Sequence, residues 1–224
     1  MQIIIVGAGK LAAELLHTMR SNDAWLVSAW SNNMVIDGCS VVVHAGSGRE
    51  LRDVLAYCQK NHATLVELAT GSLVEQAACP FPVVICPNTN ILMLKFMAML
   101  SQSGHLFSGY KIRLTESHQS SKTSVPGTAI SMAESLGLAA HALDSVRDPE
   151  IQAKQLNIPS DHLNRHAYHQ IMIDDGVCSV TMETRVYGDS PYVDGVVQIV
   201  RAIQTHALED RRYDIGEFVD KGWL

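Results

Sequence analysis

An α/β fold is predicted, with a Rossmann-like parallel sheet and its helices first and an α+β unit with a mixed sheet after it. Three observations predict it. Apolar, β-branched runs alternate with helical spacings as far as residue 90. A G-x-G-x-x-A turn separates the first run from the first helix. Beyond residue 90 the runs alternate at period two around a D-D-G turn. The chain therefore reads as a dinucleotide-binding domain over 1–90 and a substrate-binding and oligomerisation domain over 91–204, with the tail 205–224 packing back on the first.

Met1–Val6 is an apolar run that ends at Gly7-Ala8-Gly9-Lys10-Leu11-Ala12. Leu11, Leu15, Leu16 and Met19 then carry helical spacing. Strand, glycine turn and helix in that order are the context a dinucleotide fingerprint needs. The glycines permit close backbone approach to a pyrophosphate, and the helix N-terminus offers free N–H groups. Gly7, Gly9, Lys10 and Leu11 are thus candidate cofactor residues. The plainer reading is an ordinary βα turn that needed glycines; the motif's place between first strand and first helix favours the cofactor.

Trp25–Trp30 reads as the second strand, followed by Ser31, Asn32 and Asn33. An NAD-type fold often carries Asp or Glu there, on the ribose hydroxyls. With Ser31 no carboxylate repels a 2′-phosphate and no arginine holds one, so NADPH or NADH stays open, with a slight lean to NADPH. Cys39–Ala45, Ala63–Leu68 and Pro82–Cys86 are further buried strands, with a helix at Glu50–Lys60 and a short one reaching Ala78. Such alternation gives right-handed βαβ units, whose ligands sit at the carboxyl ends of the strands. Those ends add Ala45, Gly46, Ala69, Thr70, Gly71, Pro87 and Asn88 to the cofactor set. His44 reads as a buried or edge histidine.

In the second half, Ile91–Ser103 has helical spacing, with Met93, Met97 and Met99 as core filler. Tyr110–Thr115 alternates as a half-exposed strand and delivers a loop, Glu116–Ala129. Thr128–Leu136 reads as a helix and Asp144–Pro159 as a connecting loop. Ala167–Ile173 and Val177–Val186 form a hairpin through Asp174-Asp175-Gly176. Tyr192–Leu208 is a long helix, and the tail is anchored by Ile215, Phe218 and Trp223. His166 and His169 read as structural, or as one polar group near a substrate; nothing completes a metal set with them.

The chain has 224 residues, 47% of them hydrophobic, enough for one large domain or two small ones. A net charge of −6 argues against nucleic acid. Five scattered cysteines without C-x-x-C fit a reducing compartment. The first strand begins at Gln2 and no apolar run spans a bilayer, so a soluble cytoplasmic protein is expected, without a membrane partner.

The loop E-S-H-Q-S-S-K-T-S-V-P-G-T-A carries the chemistry. His118 and Lys122 stand four residues apart, and Gly127-Thr128 opens a helix. Histidine exchanges protons near neutrality, lysine is a compact positive charge, and a Gly-Thr pair at a helix start is an anion nest. That set suits a small substrate that carries carboxylates and needs a proton. Taken singly, His118 would be an exposed loop histidine and Lys122 a surface lysine.

E-S-H-Q-x-x-K with the following G-T-A resembles the 4-hydroxy-tetrahydrodipicolinate reductase family, in particular its plant and cyanobacterial branch, where Gln119 follows the histidine. Gly7-Ala8-Gly9, Ala69-Thr70-Gly71, Pro87-Asn88, His166–His169 and Tyr187–Val196 resemble further family segments in the same order. The resemblance implies hydride transfer from NADPH or NADH to a cyclic unsaturated dicarboxylate of the lysine and diaminopimelate route. It implies His118 as proton donor, assisted by Lys122. Gln119, Lys122, Gly127 and Thr128 would hold the substrate, in a homotetramer or dimer. The chain differs from the family at Ser124, usually acidic, at Pro126, usually serine, and in a shortened stretch between the first helix and the third strand. Two alternatives stand beside it: a paralogous reductase of another cyclic imine or unsaturated acid, and a non-catalytic dinucleotide-binding regulator.

Overall fold

The computed structural model describes residues 1–31, 34, 40–123, 127–188 and 192–224. Asn32, Asn33, Cys39, Ser124 and Pro126 lie outside them. The first elements are β1 (Gln2–Val6), α1 (Lys10–Met19), β2 (Leu26–Ala29), β3 (Ser40–His44), α2 (Leu51–Asn61), β4 (Thr64–Glu67), β5 (Val83–Ile85) and α3 (Ile91–Ser103). Then come β6 (Lys111–His118), α4 (Gly127–Ser135), β7 (Asp144–Val146), α5 (Pro149–Lys154), β8 (Ala167–Asp174) and β9 (Ser179–Val186). The chain closes with α6 (Val193–Thr205), β10 (Arg212–Asp214) and α7 (Ile215–Asp220). Two compact units result, Met1–Leu94 with Tyr192–Leu224, and Lys95–Pro191.

In the first unit six strands lie in the order β10-β5-β4-β3-β1-β2, every neighbouring pair parallel. The inner strands β1, β3, β4 and β5 read as largely apolar runs because both faces are covered, whereas the edge strands β2 and β10 are partly exposed. Ile3, Ile5, Val41 and Val43 point into a core shared with α1, α6 and α7. Ile4, Val6 and Val42 point into a second core with α2. The sheet is Rossmann-like, as expected.

Helix α6, expected with the second half, packs in the first unit. Val193, Val196, Ile199 and Val200 are buried in the core that holds Ile3 and Leu15. Gly195 makes the approach possible, since a Cβ there would lie 1.5 Å from the Thr89 carbonyl oxygen. Thr89 Oγ1 donates to the Tyr192 carbonyl at 2.8 Å. Residues 205–224 are more than a tail. They supply the edge strand β10 against β5, and Phe218 is fully buried. A buried Phe stabilises by roughly 1.5–3 kcal/mol, so this segment is core.

The second unit carries a four-stranded mixed sheet, β7-β6-β8-β9, with β6 and β7 parallel and the other pairs antiparallel. Its hairpin turns at Asp174-Asp175-Gly176, where Gly176 takes φ +89 and Asp175 Oδ1 accepts the Val177 and Cys178 N–H groups. Three expectations fail here. β6 runs on through Glu116 to His118, so these two are strand residues and not loop. The stretch 144–159 is not a plain loop, because it holds β7 and α5. Asp148 caps α5 through the Glu150 and Ile151 N–H groups, with Pro149 in the first turn. Met93 is buried, but Met99 is 45% exposed and fills no core. Among the described residues no helix is long and apolar enough to cross a membrane.

Candidate active site

Glu116 and His118 are two apart on β6 and so project from one face of the strand. His118 Nδ1 lies 2.8 Å from Glu116 Oε2, with the carboxylate fully buried and the ring 13% exposed. Arg147, between β7 and α5, brings Nη2 within 2.6 Å of Glu116 Oε1 and Nη1 within 3.2 Å of Oε2. Its Nε donates to the Lys122 carbonyl at 3.0 Å. One guanidinium thus ties the carboxylate behind His118 to the turn that carries Lys122. Burial opposes ionisation of Glu116, but hydrogen bonds from His118 and Arg147 outweigh it and hold the carboxyl down to about 2.

On β8, His169 stands opposite Glu116 in register. Its ring meets that of His118 edge-on, with centroids 5.8 Å apart. Burial, and then the charge of His118, push the His169 imidazole down to about 4. Burial likewise lowers His166, whose Nε2 lies 3.0 Å from Ser117 Oγ. Of these three histidines, His118 is the one paired with Glu116. The Gln152 amide nitrogen, from α5, reaches the His118 carbonyl at 2.7 Å and Ser117 Oγ at 3.0 Å.

After His118 the chain turns, and the Lys122 N–H donates to the Gln119 carbonyl at 2.9 Å. Gly127 and Thr128 form the first turn of α4, which has no acidic residue there. Glu116, Arg147 and Gln152 carry no role in the sequence reading, and His169 enters it only as structural or as one polar group near a substrate. For Glu116 the signal was its spacing from His118, had the strand been extended by three residues. For the others no local signal marks the long-range contact.

In the first unit, Gly7 has φ +127, and a Cβ on it would strike the Ala45 carbonyl oxygen at 2.5 Å and Gly46 Cα at 3.0 Å. Only glycine fits this close passage of the β1 and β3 ends. A Cβ on Gly9 would meet nothing within 4 Å. α1 then begins at Lys10 with no side-chain cap and no acid in its first turn. Lys10 is exposed, 3.9 Å from Glu14, and Leu11 is half-buried. Beyond β4, Thr70 and Gly71 are exposed and Ala69 is half-buried. Pro87 is exposed and Asn88 half-buried past β5, and Ser31 is exposed past β2. A close-packed glycine cradle beside an uncapped helix N-terminus fits the pyrophosphate of a dinucleotide.

Residues 91–218 match the family model described as dihydrodipicolinate reductase, C-terminus. The chain is 32% identical over 154 residues to the probable 4-hydroxy-tetrahydrodipicolinate reductase 1, chloroplastic, of Oryza sativa subsp. japonica, covering 62% of this chain and 45% of that protein. It is 33% identical over 128 residues to 4-hydroxy-tetrahydrodipicolinate reductase 1, chloroplastic, of Arabidopsis thaliana, covering 52% and 37%. The chain spans less than half the length of these curated relatives. Its fold is that of the dipicolinate-bound dihydrodipicolinate reductase from Paenisporosarcina sp. TG-14, with a TM-score of 0.67, 15% identity, and coverage of 96% and 97% of the two chains.

Proposed function

The chain belongs to the dihydrodipicolinate reductase family, and on that premise we propose that it is an NAD(P)H-dependent reductase of 4-hydroxy-tetrahydrodipicolinate, in the route to diaminopimelate and lysine. The observation that carries this is the pairing of His118 Nδ1 with a buried carboxylate that Arg147 grips on both oxygens. Glu116 fixes the ring's orientation and tautomer and leaves Nε2 to exchange a proton. Held well below the usual carboxylate range, Glu116 does not take that proton itself.

The Gly7–Leu11 turn with Ala45, Gly46, Ala69, Thr70, Gly71, Pro87 and Asn88 would hold NADPH or NADH, which would supply the hydride. The 4-hydroxyl leaves as water to give a conjugated cyclic imine, and His118 then gives a proton to the ring atom beside the one that receives hydride, so negative charge does not accumulate there. Lys122 holds a substrate carboxylate, and Gly127 and Thr128 hold another at the start of α4. Gln119 lines the same turn. A solved protein of the same fold carries dipicolinate, a cyclic dicarboxylate of this kind. We read the functional unit as a homo-oligomer, tetramer or dimer, joined through the second unit's sheet. There β9 is an edge strand with Val180 43% exposed. Light scattering that shows a monomer would count against it.

The test follows NADH and NADPH oxidation with freshly generated 4-hydroxy-tetrahydrodipicolinate. Oxidation is expected, and His118→Ala is expected to lower turnover by about 10²–10⁴-fold while binding the cofactor normally. An unimpaired variant would refute the role of His118. Ser124 and Pro126 favour a second reading, a paralogue that reduces another cyclic imino acid. Cofactor binding without oxidation on this substrate, but with oxidation on another cyclic imine, would establish that one.

A further inference from the structure

Among the described residues two histidines, His169 and His44, keep a buried ring nitrogen without a hydrogen-bond partner. His169 belongs to the site above. His44 is the last residue of β3 in the first unit, fully buried, and no step of the reaction uses it. Its register partner is Glu67, the last residue of β4 and also fully buried. His44 Nδ1 lies 2.8 and 2.9 Å from the two Glu67 oxygens.

The same carboxylate reaches into the turn that follows β4. It accepts the Ala69 N–H at 2.8 Å and the Ser72 hydroxyl at 2.9 Å. From the other side Glu75 accepts the Gly71 N–H at 2.7 Å. Two carboxylates therefore pin the Ala69–Ser72 turn and leave Thr70 exposed at its crest. On the β3 side, a Cβ on Gly46 would stand 3.0 Å from His44 Nε2 and 3.4 Å from Gly7 Cα. The His44 ring thus underlies the glycine that lies against the Gly7 cradle.

An apolar pair at these two strand ends would fill the sheet without burying a carboxylate or leaving a ring nitrogen unmatched. A connected polar network fixes geometry instead. What this one fixes are the two turns at the carboxyl ends of β3 and β4, where a ligand of an open α/β sheet sits.

We propose that His44 and Glu67 are positioning residues for the dinucleotide, holding the Ala45-Gly46 and Ala69–Ser72 turns in the shape that receives it. The proposal rests on the first unit being a dinucleotide site. Turns shaped beforehand do not have to be ordered on binding, so loss of the network weakens binding and leaves the chemical step alone.

The experiment measures NADPH and NADH binding to the full chain by fluorescence titration, with steady-state kinetics alongside, for wild type, Glu67→Gln, Ser72→Ala and Ser72→Thr. Glu67→Gln keeps the shape and removes the charge; it is expected to weaken both cofactors about tenfold, with kcat at saturating cofactor within about twofold of wild type. Ser72→Ala is expected to weaken them about threefold, and Ser72→Thr, which keeps the hydroxyl, to restore them. Unchanged dissociation constants in Glu67→Gln and Ser72→Ala overturn the proposal. Should Glu67→Gln fail to fold, the Ser72 pair decides: a loss in Ala recovered in Thr supports it, and no loss overturns it. A wild-type chain that binds neither dinucleotide overturns the cofactor reading itself, and the proposal with it.

Discussion

Arg147 closes on Glu116 through both terminal nitrogens, 2.6 and 3.2 Å from the two carboxylate oxygens, although the residues are 31 positions apart. The carboxylate is fully buried and the arginine side chain 23% exposed. Removing the guanidinium leaves a buried anion without its counter-charge. Arg147→Met is expected to destabilise the chain by about 3 kcal/mol. Urea unfolding at neutral pH measures it; a change below roughly 1 kcal/mol would show that water replaces the arginine.

Glu116→Gln asks a different question. The amide oxygen can still accept from His118, but the charge that faces the ring is gone. Turnover is expected to fall about a hundredfold while cofactor binding stays as in wild type. Equal turnover in the two proteins would mean that the carboxylate only fills space.

Stability should fall as the medium is acidified through the histidine range. His169 stays neutral in the folded chain down to about 4, because burial and the His118 charge oppose its protonation. Unfolded, it takes a proton near the ordinary value of 6.5. Between those two pH values the unfolded state binds more protons, so stability rises with pH across that window and drops as pH falls through it. The loss attributable to His169 is on the order of 3 kcal/mol by pH 4. His166 acts in the same direction. His169→Gln should flatten the unfolding free energy between pH 6.5 and 4, and an unchanged slope would assign the loss elsewhere.

Gly195→Ala should damage the first unit without touching any side chain of the candidate site. Its Cβ would overlap the Thr89 carbonyl oxygen at 1.5 Å, and backbone on both sides leaves nothing flexible to yield. A loss of about 3 kcal/mol is expected, read as a lower thermal midpoint. A variant as stable as wild type would show that α6 shifts to make room.

The strands β1, β3, β4 and β5 were legible because burial on both faces writes them as β-branched runs. The end of β6 was not. Glu116-Ser117-His118 looks like loop, and Arg147, Gln152 and His166, from distant segments, explain how polar groups lie buried in a strand. Helix α5 does carry a local signal, since Asp148-Pro149-Glu150 is a cap, a first-turn proline and an acidic first turn. β10 has one buried residue, Tyr213, between two exposed ones, too little for a pattern. Among the site residues, His118, Lys122 and the Gly7 turn announce themselves locally, whereas the His44–Glu67 pair depends on two adjacent strands ending level.

The first unit is interrupted: it is left at Leu94 and resumed at Tyr192. A ribosome therefore delivers the whole of 95–191 before the sheet begun at Gln2 can receive its last strand. Until β10 emerges, β5 has an open edge, and until α6 and α7 emerge, the core side of β1 and β3 has no cover from them. Nascent chains stalled before Tyr192 should expose the apolar faces of Ile3, Ile5, Val41 and Val43 and call on chaperones, while the intervening unit, complete in itself by sequence, is free to fold first.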